Sequence, residues 1–500
     1  MRHASTRFAG WASVSVVLAT TVLAGAVPCG AQEVGRLAAE RLTVEPLRFD
    51  PPEPQVHRLA GGVTVYLLED RTLPLVDVMA RFEGGYSHFG RDHYAAGMAL
   101  PSLLRSGGTR ALAPDSVDTA LEYYAIQTTF GGSGESVFSG LNTLTENLDI
   151  ALGLWGRLLK RPGFDTSRVE VWRGRELESV RRRVDDPGRL AFSEFNRLMF
   201  GDHPIGWELE PADLEPAGLS TERLRWLHRR VICPDRLVLG VTGDVSWEEM
   251  RPRLEALLAD WEPCPEALPE APAPSIRAEG GVFLIPLEVE QSTVVMAHAT
   301  ELRQEDARAY FASRVGNAIL GASGFTSRLV SRVRTERGYA YAASSLWTAP
   351  TRYGGIIGAT TRTRPETTVA AIRLVREVME GMTTAAPALD EVTAAVDEAT
   401  NGFVFNFESA AQIISRRMAY EVAGLPSDWL VRYLRGLQSV RPEDVREVFT
   451  RHLDVSRLTI LVVGDPAGFA EALDTLGPVT ILEPGATGPS GPSGSPRSRR

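Results

Sequence analysis

Two stretches of the sequence, about 220 residues apart, end in the same way. Residues 237–244 (LVLGVTGD) and 458–465 (LTILVVGD) each predict a buried strand, a Gly-Asp turn and a short helix after it. The elements before these endings also follow one order, strands first and helices after them. Such recurrence indicates an internal duplication. Together with a length of 500 residues, too long for one ordinary core, it predicts two similar lobes.

The spacing of apolar residues predicts an α+β fold. Period-2 or short apolar runs predict strands at 63–68, 75–82, 126–130, 137–141 and 237–242, from 282, from 294, and at 458–463. Helical periodicity predicts helices at 94–105, from 114, at 144–160, 166–184, 190–200 and 248–259, and from 307. We therefore expect each lobe to be a mostly antiparallel sheet with helices packed on it, not a doubly wound parallel sheet.

Composition divides the chain into further segments. Residues 1–31 are predicted to be a cleaved signal peptide, because Arg2 and Arg7 precede an uncharged apolar stretch that ends in small residues at Ala31. The other predicted segments are an N-terminal extension (32–55), a first lobe (56–262), a Pro-rich linker (263–280), a second lobe (281–482) and a disordered tail (483–500). The signal peptide predicts a periplasmic or secreted protein, without a stable membrane span after cleavage.

Charge and motifs argue against several functions. The formal net charge of −10 disfavours a nucleic-acid surface, which needs clustered Lys and Arg. No G-x-G-x-x-G or Walker A loop supports nucleotide binding, and no G-x-S-x-G elbow supports a serine hydrolase. Only Cys233 and Cys264 follow the predicted signal peptide, too few for a thiolate-rich metal site. They are either a disulfide or two small core residues, and their spacing does not decide between the two.

Two longer segments resemble a known family. They are 82–109, with FEGG, AAGM and LLRSGGT, and 316–341, with GNAILG, SRL and RTERGYAY. Supporting marks are DDP at 185–187, HP at 203–204, the two Gly-Asp endings and GFVFNFES at 402–409. In this order they resemble the insulinase family of zinc peptidases, the inverzincins, which include pitrilysin and the mitochondrial processing peptidase. The likeness covers nearly all of the chain after residue 55, and it implies two processing-peptidase-like lobes.

The zinc-binding motif of that family is missing. Active members carry H-x-x-E-H on a helix of the first lobe, where two histidines one turn apart bind zinc and the Glu activates its water. The equivalent helix here, 95–105, is AAGMALPSLLR, without His or Glu. Ser179 stands where the family has its third ligand, and Glu176 and Glu178 are interpreted as a solvated helix face. The resemblance thus implies no metal site and no complete catalytic site on this chain.

Other histidines do not supply a substitute motif. His88 and His93 are five residues apart around a glycine, so they lack the helical spacing that two zinc ligands need, and a loop metal site there is disfavoured. His298 lies on a predicted strand of the second lobe, where we expect a packed histidine with satisfied hydrogen bonds.

The second family signature is present. In the family, an Arg and a Tyr seven residues apart reach the active centre from the second lobe, where the Arg holds substrate and the Tyr steadies the oxyanion. Arg334 and Tyr341 have this spacing, and Tyr339 is a competing candidate by chemistry alone. The resemblance implies that Arg334 and Tyr341 bind substrate and that Tyr341 stabilises the oxyanion in a partner's site. A purely structural interpretation also exists, with Arg334 at a helix C-terminus and Tyr341 as an ordinary strand residue.

Family members with this pair but without zinc ligands resemble the non-catalytic subunits of two-chain bacterial peptidases. The resemblance implies a homologous partner that carries H-x-x-E-H and the zinc, with peptides as substrates of the pair. The alternative is a catalytically inert scaffold or peptide-binding pseudo-enzyme. A self-sufficient hydrolase with an unrecognised site is a third hypothesis, less favoured than the other two.

Overall fold

The computed structural model describes residues 51–277 and 279–483, so the predicted signal peptide, residues 32–50 of the predicted extension and residues 484–500 of the predicted tail lie outside it. The first six-stranded sheet has the order β1-β2-β6-β3-β5-β4. Its strands are β1 (Gln55–Arg58), β2 (Thr64–Glu69), β3 (Leu75–Glu83), β4 (Gln127–Gly132), β5 (Ser136–Leu144) and β6 (Leu237–Gly243). The second has the order β12-β7-β11-β8-β10-β9. Its strands are β7 (Gly281–Pro286), β8 (Ser292–Ala299), β9 (Ala340–Trp347), β10 (Ile356–Thr363), β11 (Thr459–Gly464) and β12 (Val479–Ile481).

Helices follow the strands in both halves. Those between β3 and β7 are α1 (Tyr94–Ser106), α2 (Pro114–Tyr123), α3 (Leu148–Lys160), α4 (Thr166–Arg181), α5 (Pro187–Phe200), α6 (Thr221–Val231) and α7 (Trp247–Leu258). Those after β8 are α8 (Ala307–Asn317), α9 (Thr368–Thr384), α10 (Leu389–Val404), α11 (Ala410–Val422), α12 (Trp429–Gln438) and α13 (Pro442–His452). None of the described helices is both long and apolar enough to span a bilayer.

Strand order confirms the duplicated α+β fold. Five strands of the first sheet, β2-β6-β3-β5-β4, match β7-β11-β8-β10-β9 of the second in position and in chain order. The Gly-Asp strands β6 and β11 both lie between one parallel and one antiparallel neighbour. The sheets differ at the outer edge, where β1 pairs antiparallel with β2 but β12 pairs parallel with β7. Most neighbouring pairs are antiparallel, as the sequence predicts.

One face of the first sheet packs on the helices of its own half. Along β3, buried residues at 76, 78, 80 and 82 alternate with half-exposed ones, as expected for a strand whose side chains point alternately to opposite faces. The buried face joins α1, α3, α6 and α7 in one apolar core. This alternation is why β3 is predictable from its sequence.

The other face of each sheet is covered by a helix from the opposite half. Helix α5 packs on β8 and β11, with Leu190 and Phe195 in one apolar cluster with Val295. Helix α11 packs on β2, β3 and β6, with Ile414 and Met418 against Val238. The exchange is not evident from chain position, since α5 falls within residues 56–262 but lies on the second sheet. It buries apolar strand faces that would otherwise meet water.

The segment between the lobes is bound to the first lobe along its length. Cys233 and Cys264 form a disulfide with their Cα atoms 5.3 Å apart, which settles the pairing that the sequence leaves open. Two histidines of the first lobe form hydrogen bonds with backbone carbonyls of the linker. His88 Nδ1 lies 2.7 Å from Pro269 O, and His203 Nε2 lies 2.8 Å from Pro272 O. Arg236 also donates to the Glu266 carbonyl at 2.9 Å. The Pro-rich linker is therefore fastened to the protein and is not a free spacer.

Candidate functional site

Helix α1, which stands where the family has its zinc helix, is packed as an apolar core element. Ala96, Ala99 and Leu103 are fully buried, and Gly97 lies so close to Tyr86 that a Cβ would be 2.5 Å from that residue's Cβ. Met98 is exposed. With alkyl groups at these positions, the helix offers no imidazole or carboxylate for a metal, so its residues do not fit a zinc site.

The surrounding polar groups are engaged in structural contacts. On α4, Ser179 accepts a hydrogen bond from Arg189 at 3.0 Å, and the exposed Glu178 pairs with Arg182 at 2.5 Å; Glu176 is half-buried. Among the described residues, no three or more His, Cys, Asp or Glu side chains are grouped to hold a metal ion.

The histidines singled out from the sequence lie in packing positions. His93 stacks on Trp226 with ring centroids 4.2 Å apart and 7° between the planes, and Arg223 donates to its Nδ1 at 3.2 Å. His298 is buried; its Nδ1 donates to Ala299 O at 2.8 Å, and its Nε2 accepts the Asp454 N–H at 2.9 Å. Burial lowers the pKa of His298, which favours this neutral form. His298 is thus the packed histidine that the sequence predicts.

Arg334 and Tyr341 lie together on the second lobe. Arg334 is on a π-helical segment, Val330–Glu336, and Tyr341 is near the start of β9, the edge strand of the sheet. The Arg334 guanidinium carbon is 5.3 Å from the centre of the Tyr341 ring, a cation–π distance. Gly338 makes the turn between them with φ +61°, a conformation that other residues adopt only with strain. The two residues seven apart are therefore direct neighbours.

Tyr341 is the extra residue of a β-bulge. Arg362 of β10 pairs with Ala342 and Thr363 with Ala340, so two steps along β9 match one step along β10. A bulge bends its strand and redirects a side chain, and bulges are common beside active sites. The Tyr341 side chain is 72% exposed, so its hydroxyl is available to a ligand.

Tyr339 differs from Tyr341 in its surroundings. It is half-buried, its backbone N–H donates to Val333 O at 3.0 Å, and its carbonyl accepts the Thr367 hydroxyl at 2.9 Å. No cation–π contact joins it to Arg334 in the described part of the chain. Of the two tyrosines, Tyr341 is the one that the geometry pairs with Arg334.

Phe325 is a member of the site that the sequence did not single out. Its ring is 74% exposed, and its centre lies 5.0 Å from the Arg334 guanidinium carbon. We refer to Phe325, Arg334 and Tyr341 as the aromatic–arginine cluster. One sequence feature could have identified Phe325: it is the one large apolar residue in the small-residue run GASGFTS at 321–327. A turn is expected there, and few neighbouring side chains would bury the ring.

Irregular backbone surrounds the cluster. A second π-helical segment, Ala318–Ala322, precedes the turn that carries Phe325. Gly321 of that segment packs against β9 so closely that a Cβ would lie 2.2 Å from the Ser345 nitrogen. π-Helical turns are rare and occur frequently at functional sites. The cluster is thus assembled by two π-helical segments and one bulge.

Comparison with known proteins confirms the resemblance read from the sequence. Residues 218–398 match the family model described as the peptidase M16 inactive domain. A crystal structure of a peptidase M16 inactive domain from Pseudomonas fluorescens superposes with a TM-score of 0.73 at 22% identity, covering 83% of this chain and 98% of that one. A protease from Helicobacter pylori also gives 0.73, at 15% identity, covering 82% and 99%. The chain is thus similar to M16 peptidase proteins, and it has the two-lobed α+β fold of those structures.

Individual relatives carry two kinds of name. An uncharacterized zinc protease of Streptomyces coelicolor is 27% identical over 326 residues, 64% of this chain and 70% of that protein. The non-peptidase homolog YmxG of Helicobacter pylori is 22% identical over 414 residues, 81% of this chain and 92% of that protein. The chain is therefore similar both to proteins named as peptidases and to one named as a non-peptidase.

Proposed function

We propose that this chain is the non-catalytic, substrate-binding subunit of a zinc-dependent heterodimeric oligopeptidase. The observation that carries the proposal is the pairing of half-buried Arg334 with exposed Tyr341, on a chain whose α1 helix lacks zinc ligands. A packed structural Arg or Tyr would be expected to have its polar atoms engaged. Within the described residues the Arg334 side chain makes neither an ion pair nor a hydrogen bond and contacts only the two rings, and the Tyr341 hydroxyl makes no hydrogen bond.

In this proposal the two side chains act on a peptide bound next to the partner subunit. The Arg334 guanidinium donates to a substrate carbonyl or carboxylate and fixes the position of the peptide. The Tyr341 hydroxyl donates to the carbonyl oxygen on which negative charge develops. Zinc on the partner would supply the activated water. This chain binds the peptide and stabilises the negative charge that develops on its carbonyl oxygen.

The partner in this proposal is a homologous chain that carries H-x-x-E-H. We also propose that the pair acts outside the cytoplasm, because residues 1–31 have the pattern of a signal peptide. The Cys233–Cys264 disulfide supports this, since structural disulfides persist in oxidising compartments.

The second candidate is an inert scaffold or peptide-binding pseudo-enzyme. The likeness to a protein named as a non-peptidase homolog favours it. The two candidates differ in one respect: a subunit raises the turnover of its partner through Tyr341, whereas a scaffold does not.

Co-expression tests the proposal. The chain is purified alone and with a homologue from the same genome that carries H-x-x-E-H, and both are assayed on a quenched fluorescent peptide library with zinc. We expect turnover only for the pair, and a loss of at least ~100-fold for the Tyr341→Phe pair. Tyr123→Phe, at another exposed tyrosine, is the control and should retain activity. A pair that is as active with Tyr341→Phe as with wild type rules out the oxyanion role, and strong cleavage by the single chain rules out the division between subunits.

A further inference from the structure

The Phe325 ring is exposed to solvent on a turn that hydrogen bonds hold in place. It lies in the middle of the 3₁₀ turn Gly324–Thr326. The Thr326 hydroxyl donates to Ser323 O and the Ser327 hydroxyl to Gly324 O, both at 2.8 Å. An aromatic ring gains little from water, and two hydroxyl groups here fix the turn that exposes it. Such a ring is suited to contact a ligand.

The Arg334 guanidinium differs from neighbouring guanidinium groups in what it contacts. Two neighbouring arginines are paired with carboxylates. Arg328, just before the π-helical segment, donates to both oxygens of Glu391 at 2.9 and 2.8 Å, and Arg332, within the segment, lies 3.2 Å from Glu336. Within the part of the chain that the structure describes, Arg334 has no such carboxylate and contacts rings instead. A guanidinium that packs on aromatic rings still has N–H groups in its plane, and these can donate two parallel hydrogen bonds to a carboxylate.

These two features together define a ligand. The guanidinium fits a carboxylate, and the two exposed rings provide apolar surface beside it. We propose that the aromatic–arginine cluster is a subsite for peptides in which a carboxylate adjoins an apolar side chain, with Phe325 as its specificity-determining residue. This inference rests on the proposed peptide-binding role of Arg334 and Tyr341. The carboxylate is either that of an Asp or Glu side chain or that of a free peptide C-terminus.

Peptide binding to the full chain, without a partner subunit, tests the subsite. Four labelled peptides of one parent sequence are compared by fluorescence anisotropy: one ending in a free C-terminal Phe, the same peptide amidated, an amidated peptide with internal Glu-Phe, and an amidated one with Gln-Phe. We expect at least one carboxylate peptide to bind ~10-fold more tightly than its neutral counterpart. The peptide pair that shows the difference identifies the source of the carboxylate.

Variants connect the preference to the cluster. Arg334→Gln should remove the carboxylate preference, and Phe325→Ala should weaken binding of the preferred peptide about 3- to 10-fold. Phe405→Ala, at an exposed phenylalanine of another turn in the second lobe, is the matched control and should bind as wild type does. Equal binding of all four peptides overturns the proposal, as does a carboxylate preference that survives Arg334→Gln or an unchanged affinity in Phe325→Ala.

The outcome separates this inference from the proposed function. If Tyr341→Phe inactivates the two-chain enzyme but no carboxylate preference exists, only the subsite is rejected. If the preference exists but Tyr341→Phe leaves turnover unchanged, only the catalytic contribution is rejected.

Discussion

Gly240 of β6 lies against Ile414 of the exchanged helix α11, so closely that a Cβ at Gly240 would be 2.2 Å from Ile414 Cγ2. The sulfur of Met418 would be 2.6 Å away from the same Cβ. Beside them, the Tyr66 hydroxyl donates to Glu421 of α11. The absence of a side chain at one residue of the first lobe therefore allows a helix of the second lobe to seat on its sheet.

Gly240→Val should weaken this contact. Because core overpacking typically costs 1–3 kcal/mol and both neighbours are fully buried, we expect a loss of about 2–3 kcal/mol in the free energy of unfolding, measured by denaturant titration. The control is Gly153→Ala on α3, where a Cβ would meet nothing within 4 Å; it should be neutral or stabilise by up to about 1 kcal/mol. A Gly240→Val protein as stable as wild type would show that α11 shifts freely on the sheet.

Removal of the disulfide should destabilise the chain. Cys233 and Cys264 are separated by 31 residues, and a loop of this length predicts roughly 3–4 kcal/mol in the chain-entropy model. The double variant with both cysteines changed to serine should show this loss in urea unfolding. Wild-type protein in reducing agent should show the same loss, and a wild-type stability that does not respond to reductant would contradict the prediction.

Acid should destabilise the fold through His228. This side chain is buried and its Nε2 lies 2.7 Å from Leu159 O; burial lowers its pKa to about 4. A histidine whose pKa is lower in the folded than in the unfolded state is neutral in both above pH ~6.5, so its contribution is constant there. As pH falls from ~6.5 toward 4, the unfolded chain binds a proton that the folded chain excludes, and up to about 3 kcal/mol of stability is lost.

His228→Gln removes this ionisation and retains a donor for Leu159 O. Its unfolding free energy between pH 7 and 4.5 should decline less than that of wild type. Parallel curves for the two proteins would assign the acid sensitivity to other groups.

A lysine at position 334 should not replace the function of the Arg334 guanidinium. In the proposed two-chain enzyme, Arg334→Lys retains the cation but loses the planar pair of donors, so we expect kcat/KM to fall ~10-fold or more, largely through KM. Arg337→Lys, at an exposed arginine three residues on, is the matched control. Equal effects of the two substitutions would indicate that only the local positive charge matters.

Much of the fold follows from local sequence patterns. The alternation along residues 75–83 and the repeated Gly-Asp endings define strands and duplication, because side-chain direction alternates along any strand. The family spacing of Arg334 and Tyr341 also indicates where the candidate site lies. The short helix predicted after residue 465 is wrong, since only 3₁₀ turns, Pro466–Gly468 and Leu473–Leu476, follow there. Helix 144–160 begins late, at Leu148, because its first turn is a 3₁₀ segment.

Other features depend on contacts between distant residues. The helix exchange is hidden because the apolar face of α5 is the same whichever sheet it covers. The disulfide depends on a Cα separation that sequence spacing does not determine. The bulge at Tyr341 is a mismatch between two strands, visible only when both are paired. The role proposed for Phe325 depends on its contact with Arg334, nine positions further along the chain.

The helix exchange has a consequence for what counts as one stable unit. A fragment of residues 56–262 would expose the apolar side of α5 to water. It would also expose the face of β6 that α11 covers in the whole protein. A single cut in the linker, by contrast, breaks no helix or strand, and both exchanged helices still hold the fragments together. The arrangement is that of a swapped dimer whose two protomers are joined in one polypeptide, so its cohesion depends on reciprocal surfaces more than on the continuity of the chain.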